Sequence, residues 1–367
     1  MDTFQFKIFK EINKKNIRSN ITISPMSIYH ILSLTANGST NKTLEEMCNT
    51  LCHKDLNEVN KNNELLSSTI ENLKSVELAN AIFTKYEPKK TFTQMIKQYK
   101  AKIDKLKNAE QINKWCSDAT HEKIKNIIDN VTSDDIMILI NAIYFKGIWK
   151  NRFNKKESTI ENFLNYNEES IEIEFMKKTD KYDYYENDKM QVISLNYKED
   201  NMEAIIILPN QYVLYDKTID AFINDLTLKD YEKMIKKMKN TKVTLHLPKF
   251  EIEYQNDLSE TLKDLGMVQA FSDTADFSSM IDKCHTNIGK VIHKTYVKID
   301  EEGTEAAAVT AVVITKSKKL FSFTPKIPVM NVNHPFLFII RNKNLPRGYD
   351  IIFISKIEKL DRDKTQI

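Results

Sequence analysis

The sequence predicts an α+β fold, in which helices and sheets form separate layers. Helical patterns fill the first part of the chain, whereas short strands and turns dominate from residue 171 onward. That separation favours an α+β arrangement over alternating βαβ units. The apolar run over 136–149 predicts a strand that is buried on both faces, and such a strand belongs inside a large sheet.

Each element follows from the spacing of its apolar residues and from its end signals. Phe4, Ile8, Phe9 and Ile12 share one face of a helix over 2–14, and Ser24 is placed to cap a buried helix near 26–34. The other predicted helices cover 43–51, 63–73, 109–128, 218–238 and 258–265, and the strands cover 76–84, 136–149 and 243–249, with short strands from 171 to 209. No linker rich in Pro, Gly or Ser divides the chain, so we expect a single domain over 1–367.

Charge and hydropathy exclude several kinds of partner. The chain has 54 basic and 51 acidic residues, a balance that implies no broad electrostatic field. Lysines cluster at 97–107 and 233–239, but acids and isoleucines are interleaved and no aromatic stacking platform accompanies them. We therefore expect a solvated surface there, with no nucleic-acid partner and no polyanion site. No run reaches the ~18 apolar residues of a membrane span, so no membrane partner is expected.

The N-terminal residues and the cysteines indicate the compartment. Residues 1–10 carry charges every few positions and lack the apolar core of about 7–15 residues that a signal peptide has. Four cysteines make no dense framework, which suits a reducing environment. We expect a cytoplasmic location in the producing or infected cell. Export stays open, although the sequons at Asn20, Asn37, Asn41 and Asn130 are attributed to chance in an Asn-rich chain.

No constellation of an enzyme is present in the sequence. With six glycines there is no Gly-x-Gly-x-x-Gly or Walker loop, and no serine stands in Gly-x-Ser-x-Gly. Cys48, Cys52 and His53 offer metal ligands from one segment, but no second cluster completes a tetrahedral site. We therefore expect no catalytic residue, no metal and no cofactor.

The stretch over 300–311, Asp-Glu-Glu-Gly-Thr-Glu-Ala-Ala-Ala-Val-Thr-Ala, combines turn residues with a strand-like continuation. Side chains alternate faces in a strand, so one face would hold only uncharged residues no larger than Ile. These residues are Thr304, Ala306, Ala308, Thr310, Val312 and Ile314. Such a loop could enter a sheet as a new strand, with Gly303 as its pivot.

This stretch resembles the hinge and reactive-centre loop of a serpin. Further serpin-like motifs are Ser24-Pro25-Met26-Ser27, the run 140–149 ending in Gly147-Ile148-Trp149, Leu247-Pro248-Lys249-Phe250, Ile292-His293-Lys294-Thr295-Tyr296 and Asn333-His334-Pro335-Phe336. The resemblance covers roughly residues 1 to 360. The absence of an N-terminal extension, the segment 36–40, the run 292–308 and the heavy use of Lys, Asn and Ile are most similar to the poxvirus serpins.

The resemblance implies helices around a large mixed or antiparallel sheet, smaller sheets and an exposed insertable loop over about 301–330. It implies a suicide-substrate inhibitor that acts as a monomer, forms a covalent complex with its target protease and inserts its cleaved loop into the main sheet. In a virus, such an inhibitor would modulate host proteases. The implied hinge comprises Glu301, Glu302, Gly303, Thr304, Glu305, Ala306, Ala307 and Ala308. The implied sheet-opening region comprises Ser24, Ser27, Asn141, Trp149 and His334, with His334 and Asn141 hydrogen-bonded beneath the sheet.

The scissile bond has several candidates. Counting from the hinge puts Ser317 before the cut and Lys318 after it, whereas counting back from His334 points to a position near Phe321. Lys316, Lys318 and Lys319 crowd this region, and a lysine before the cut suits a trypsin-like protease.

Two alternatives remain open. A papain-like cysteine protease could be trapped in the same way, whereas a caspase is disfavoured because no Asp or Glu lies between Ala306 and Asn333. A non-inhibitory serpin that acts as a binding protein would have bulky or charged hinge residues, and this hinge is clean.

Overall fold

The computed structural model of the chain describes residues 3–97, 99–216, 218–282, 286–304 and 327–362. The α-helices are α1 (Phe4–Lys15), α2 (Pro25–Ala36), α3 (Asn41–Thr50), α4 (Leu56–Asn72), α5 (Lys90–Lys97), α6 (Ala109–Ala119), α7 (Gln211–Asp216), α8 (Ile219–Asp225), α9 (Leu228–Lys237) and α10 (Ser259–Asp264). No helix in these described ranges is long and apolar enough to cross a membrane.

The strands make up two sheets, which confirms the predicted α+β class. The strands are β1 (Ile21–Ile23), β2 (Val76–Thr84), β3 (Lys102–Lys105), β4 (Met137–Phe145), β5 (Gly147–Ile148), β6 (Thr159–Leu164), β7 (Ser170–Glu186), β8 (Met190–Asn196), β9 (Met202–Pro209), β10 (Lys239–Pro248), β11 (Phe250–Asp257), β12 (Ile288–Ile299), β13 (Gly303–Thr304), β14 (Val329–Asn331), β15 (Phe336–Asn342) and β16 (Ile351–Ile357).

The two sheets differ in size and in the order of their strands. The larger sheet has nine strands in the order β1-β16-β15-β9-β8-β7-β10-β14, with β6 paired to β7. The smaller sheet has seven strands in the order β3-β2-β4-β12-β13-β5, with β11 paired to β12. Most neighbours are antiparallel, but β4 runs parallel to β12. Both sheets are therefore mixed or largely antiparallel, as expected.

Helix α2 lies between the sheets, and all of its residues are buried. It packs against β16 of the larger sheet and β4 of the smaller one. Ser24 caps the helix because its Oγ accepts a hydrogen bond from Ser27 N at 3.3 Å, and Pro25 occupies the first helical position. The cap fixes the helix start beneath the smaller sheet, where Ser27 can reach a strand.

The helix predicted over 109–128 is too long, since α6 ends at Ala119. The following turns satisfy the backbone through side chains instead. Thr120 Oγ1 accepts from Ile124 N at 3.1 Å, and Asn113 Oδ1 accepts from Ile127 N at 2.8 Å. Ile124 and Ile127 are nevertheless buried. The apolar spacing therefore identified residues that face the core, although these residues do not form a helix.

The single strand predicted over 136–149 is divided. Strand β4 ends at Phe145, and Lys146 N donates to Ser75 O at 2.7 Å. The next two residues form β5, which pairs with β13 rather than with β12. The division leaves room at this end of the sheet for a strand between β12 and β5.

The helix predicted over 218–238 is two helices, α8 and α9. Thr227 begins the second helix through a capping box, in which its hydroxyl accepts from Asp230 N and the Asp230 carboxylate accepts from Thr227 N. The helix predicted from residue 63 begins earlier, at Leu56, because Asp55 caps it.

Candidate functional site

Two hinge residues, Gly303 and Thr304, already lie inside the smaller sheet. Thr304 pairs with Ile299 of β12, and Gly303 and Thr304 pair with Ile148 and Gly147 of β5. Strand β13 is therefore seated between two strands at the point where the chain leaves the described residues. A longer strand that follows β13 would continue into the sheet from this end.

Gly303 is required by the close approach of two backbones. Its φ is +153°, and a Cβ there would lie 2.0 Å from Gly147 O and 2.8 Å from Ile148 Cα. No side chain fits such a gap, so only glycine permits the pairing of β13 with β5.

Trp149 holds the hinge in place. Its Nε1 donates to Asp300 O at 2.9 Å, and its backbone N donates to Glu302 O at 2.9 Å. Its ring stacks on Tyr197 with the centroids 4.5 Å apart. Tyr197 OH lies 2.8 Å from Thr304 Oγ1, so one aromatic pair contacts both Asp300, just before the hinge, and Thr304 within it.

Glu301 is 1% exposed, and its charge is balanced by Lys249. Lys249 Nζ lies 2.7 Å from Glu301 Oε1 and 2.8 Å from Glu174 Oε2, and Ser158 Oγ donates to Glu301 at 2.7 Å. Burial alone would raise the pKa of Glu301, but the hydrogen bonds from Lys249 and Ser158 outweigh it and lower that pKa. Glu301 is therefore held as a carboxylate.

Glu302 forms an ion pair with Arg152, with 2.5 Å between Glu302 Oε2 and Arg152 Nη1. Glu301 and Glu302, the two hinge acids that the structure describes, thus each have a basic partner outside the hinge. The other expected hinge residues and the candidate scissile residues lie outside the described residues; these are Glu305, Ala306, Ala307, Ala308, Lys316, Ser317, Lys318 and Lys319.

Below the hinge, β4 and β12 are paired directly, and we call this junction the seam. The pairing is parallel and extends from Met137 opposite Ile288 to Tyr144 opposite Tyr296. A strand that continued from β13 would have to separate β4 from β12 along this length.

One side-chain hydrogen bond crosses the seam. Asn141 of β4 lies opposite His293 of β12, and 2.5 Å separates Asn141 Oδ1 from His293 Nδ1. Ser24 N donates to His293 Nε2 at 3.1 Å, so Nε2 is the acceptor and Nδ1 carries the proton that is donated to Asn141. Burial lowers the pKa of His293 to about 3, so the imidazole is neutral.

Asn141 uses all of its hydrogen-bonding groups. Besides the bond from His293, its Oδ1 accepts from Ser27 Oγ at 2.8 Å. Its Nδ2 donates to Ser27 O at 3.1 Å and to Asn80 Oδ1 at 2.5 Å. Asn141 therefore ties together α2, β2 and β12, and both predicted serines belong to this cluster.

The predicted pairing of His334 with Asn141 is wrong. His334 precedes β15 of the larger sheet, where its Nε2 donates to Pro209 O at 2.7 Å and its Nδ1 lies 3.0 Å from Asn333 Oδ1. The histidine that meets Asn141 is His293. Both histidines stand in serpin-like motifs, and only the register of β4 against β12 distinguishes them.

Sequence reasoning also missed Asn80, Tyr197 and the role of Lys249. A signal existed for Asn80, because it is an amide flanked by alanines within a predicted strand, and the structure places it opposite Asn141. Nothing local indicates Tyr197 or Lys249, which approach the hinge only through the tertiary fold.

The turns over 120–131 lie against the outer face of the seam. Ile124 and Ile128 belong to the same apolar cluster as Ile140 of β4 and Ile292 of β12. Lys294 Nζ of β12 donates to Asn126 O at 2.5 Å. Separation of β4 from β12 would therefore disturb this covering segment as well.

The described residues contain no group of three or more His, Cys, Asp or Glu side chains placed to hold a metal ion. The site combines a glycine at a close approach of two backbones, hinge acids paired with basic side chains and a seam crossed by a side-chain hydrogen bond.

Comparison with known proteins gives the family. Over residues 1–359 the chain matches the sequence model of the family described as Serpin (serine protease inhibitor). It is 32% identical to the leukocyte elastase inhibitor of Xenopus laevis over 363 residues, which cover 92% of this chain and 93% of that protein. It is 36% identical to intracellular coagulation inhibitor 2 of Tachypleus tridentatus over 254 residues, which cover 68% of this chain but only 60% of that relative.

A solved structure agrees with these sequence matches. The native state of tengpin, a thermophilic serpin, has a TM-score of 0.86 to this structure at 30% identity, and the match covers 97% of this chain and 92% of tengpin. The serpin fold expected from the motifs is confirmed.

We predict that acid weakens the protein through His293. The pKa is about 3 in the fold and about 6.5 in an unfolded chain, so the unfolded state takes up the proton first as the pH falls. The contribution of this group is complete above about pH 6.5 and decreases by about 1.4 kcal/mol per pH unit down to about pH 3. Urea unfolding midpoints between about pH 7.5 and pH 4.5 measure the slope.

The control is His293→Gln, which keeps a hydrogen-bond acceptor and donor but does not titrate. Its midpoint should be lower at neutral pH and should fall less steeply with acid. The other buried histidines, whose pKa values burial also lowers, titrate alike in both proteins; they are His30, His53 and His334. Equal slopes in the two proteins would contradict a role for His293.

We also predict that Gly303→Ala displaces the hinge. The added methyl would collide with Gly147 O, so β13 should separate from β5 at a cost of about 2 kcal/mol or more. Trp149 would lose its bond to Asp300 O, and its fluorescence should shift together with a lower melting temperature. Gly266→Ala is the control, because Gly266 also has a positive φ, +104°, but has open space around it. An unchanged Trp149 signal in Gly303→Ala would disprove this view of the hinge.

Proposed function

The chain belongs to the serpin family, and from this premise we propose that it is a suicide-substrate inhibitor of a serine protease, with a trypsin-like enzyme as the target. The protease serine attacks the carbonyl of the residue before the cut and forms an ester. The peptide C–N bond breaks, and the amine of the next residue leaves with a proton. The freed loop then enters the smaller sheet between β4 and β12, and it carries the covalently bound enzyme with it.

The seating of β13 is the observation that supports this proposal most directly. Thr304 is fully buried and bonded to Tyr197, so the strand that would be inserted already begins inside the sheet. In the seam, β4 and β12 form one parallel ladder of hydrogen bonds. A strand inserted between them would form two ladders, one with each neighbour. A loop of small, uncharged residues on the inward face suits this exchange.

The bait residue is proposed from the sequence alone. Lys316, Lys318 or Lys319 before the cut suits a specificity pocket that holds a carboxylate, as in trypsin. Ser317 in that position would suit an elastase-like enzyme instead. A papain-like cysteine protease and a non-inhibitory binding role are the alternative outcomes of the tests below.

The expected likeness to poxvirus serpins and the expected viral role remain predictions. The relatives named above come from Xenopus laevis and Tachypleus tridentatus, so they lend no support to the expected likeness to poxvirus serpins or to a viral role. The proposal therefore concerns the mechanism of inhibition and not the source. A cytoplasmic location and a monomeric state are expected on the sequence grounds given earlier.

We predict that trypsin forms a covalent complex that survives boiling in detergent, and that Thr304→Arg converts the protein into a cleaved substrate. An arginine at this buried position would place a charge against Tyr197 without a partner and would block insertion. Gel electrophoresis measures the complex, and mass spectrometry of the acyl fragment identifies the bait residue. Thr304→Val, which keeps the shape without the hydroxyl, should still inhibit. Undiminished inhibition by Thr304→Arg would rule out insertion.

We further predict that cleavage of the loop between Lys316 and Lys319 raises the melting temperature. Burial of Val312 and Ile314 would contribute ~3–6 kcal/mol together, and ~1 kcal/mol corresponds to about 2–4 °C in a large domain, so we expect a rise of roughly 10 °C or more. Calorimetry of intact and cleaved protein measures it. Cleaved Thr304→Arg should show no rise. An unchanged or lower melting temperature in the cleaved wild type would favour the non-inhibitory alternative.

A further inference from the structure

A cavity of about 210 Å³ lies between β2 and α4, and we call it the β2–α4 cavity. One wall is the face of β2 that carries Val76, Leu78 and Asn80, because side chains two positions apart in a strand point the same way. The opposite wall is the face of α4 that carries Ser67 and Ile70. The cavity is smaller than the ~300 Å³ of a drug-sized site, so it suits a smaller molecule.

The deepest part of the cavity holds an amide with an unused hydrogen-bond donor. Asn80 is 4% exposed, and its Nδ2 is buried without a hydrogen-bond partner in the described part of the chain. Its Oδ1 is already engaged, because it accepts from Asn141 Nδ2 at 2.5 Å. A buried donor without a partner is costly, and an acceptor atom of a ligand placed here would remove that cost.

His30 of α2 also lines the deep part of the cavity, and it carries no charge. Burial lowers the pKa of its imidazole, so the ring is neutral. Its Nδ1 lies 2.7 Å from Asn63 Oδ1 and 3.3 Å from Ser67 Oγ. An anionic ligand group would therefore meet no cation beside Asn80, and burial of an unpaired charge is strongly unfavourable. The cavity thus selects an uncharged oxygen at this point, such as a hydroxyl.

The middle of the cavity is apolar. Its surface comes from Ile70 and Leu73 of the α4 side and from Val76 and Leu78 of β2. Val76 and Asn80 are four residues apart, a distance of about 13 Å along a strand. This length accommodates an aromatic ring with a short side arm, and a ring buries a large apolar area in a rigid shape.

The mouth of the cavity is acidic. A more open groove beside it is lined by Glu64 and shares Ser67, Glu71 and Tyr99 with the cavity. Glu71 has a loose ion pair with the exposed Lys100 at 3.6 Å, whereas Glu64 forms no ion pair within the described ranges. Among the residues that line the cavity and the groove, two carboxylates therefore stand against one ammonium. The resulting negative charge attracts a cation.

We propose that the β2–α4 cavity binds a small aromatic amine that carries an uncharged oxygen at the end remote from the amine. The oxygen accepts a hydrogen bond from Asn80 Nδ2, the ring packs between β2 and α4, and the ammonium lies near Glu64 and Glu71. The site contains no residue of the hinge or loop, so the inference does not depend on the proposed inhibition. A bound molecule would also hold Asn80 in the orientation in which it accepts from Asn141.

The test measures the binding of tyramine to the full chain by titration calorimetry. Tyramine has a phenol oxygen and an ammonium at opposite ends of one ring, and it should bind at a single saturable site. Phenethylamine, which lacks the oxygen, should bind about tenfold more weakly because Asn80 Nδ2 stays unpaired. 3-(4-Hydroxyphenyl)propionate, which has a carboxylate in place of the ammonium, should also bind about tenfold more weakly. Equal affinity for the three molecules, or no saturable binding of tyramine at millimolar concentration, would overturn the proposal.

Two variants locate the binding site. Leu78→Trp fills the cavity and should abolish tyramine binding, whereas Leu78→Met keeps the volume and should retain it. Tyramine should raise the melting temperature of the wild type and of Leu78→Met, but not that of Leu78→Trp. Undiminished tyramine binding in a folded Leu78→Trp protein would place the site elsewhere and refute the proposal.

A second pair of variants tests the mouth without altering the interior. Glu64→Gln removes an exposed carboxylate and should weaken tyramine severalfold, with a smaller loss at high salt. It should leave the affinity for the uncharged 4-ethylphenol unchanged. Glu232→Gln makes the same change in net charge at an exposed position of α9, and it should leave tyramine binding unchanged. Equal effects of the two variants on tyramine would contradict the assignment of the amine to this mouth.

Discussion

The hydrogen bond between His293 and Asn141 crosses the seam on which the proposed mechanism depends. It joins the two strands that must part, and it lies within a buried network that includes Ser24 and Ser27 of the α2 start. Each buried polar group left without a partner costs ~1–3 kcal/mol, so the network resists partial separation of the strands. The seam therefore favours two states, closed with the network intact or fully opened by a new strand that occupies the gap.

The middle of the seam and its end near Trp149 are built differently. At the middle, Asn141 has no unused hydrogen-bonding group, so the pair of strands is locked. At the end near Trp149, β13 already pairs with β12. On its other side β13 lies so close to β5 that only glycine fits at position 303. If β4 and β12 separate first at the end near Trp149, several hydrogen bonds of their ladder would break before the separation reaches the Asn141 network. The start of insertion would then depend on the hinge, and its completion would depend on the contacts of Asn141 with α2.

The sequence predicted what local patterns control and failed where distant strands meet. The Ser24 cap follows from residue type and from its neighbours in the chain, and the structure confirms it, whereas the roles of Gly303 as pivot and of Trp149 in sheet opening stay predictions. The partner of Asn141 was misassigned because it depends on the register between β4 and β12, whose facing residues are about 150 positions apart in the chain. The end of α6 was misplaced because the side chains of Asn113 and Thr120 accept hydrogen bonds that a helix would make between backbone groups. The spacing of apolar residues gives no information about such side-chain hydrogen bonds.

The charges of the hinge explain why insertion would begin at Thr304 and not earlier. Glu301 is tied to Lys249, which also holds Glu174 of the larger sheet, so this part of the hinge is fixed to the larger sheet and not to the seam. Ion pairs this deeply buried are costly to break, because separation leaves an uncompensated charge. Gly303 and Thr304, the hinge residues that the structure describes after these acids, carry no charge to be tied in this way. In the proposed mechanism, rotation about Gly303 would therefore leave Glu301 and Glu302 outside the gap that the new strand would fill.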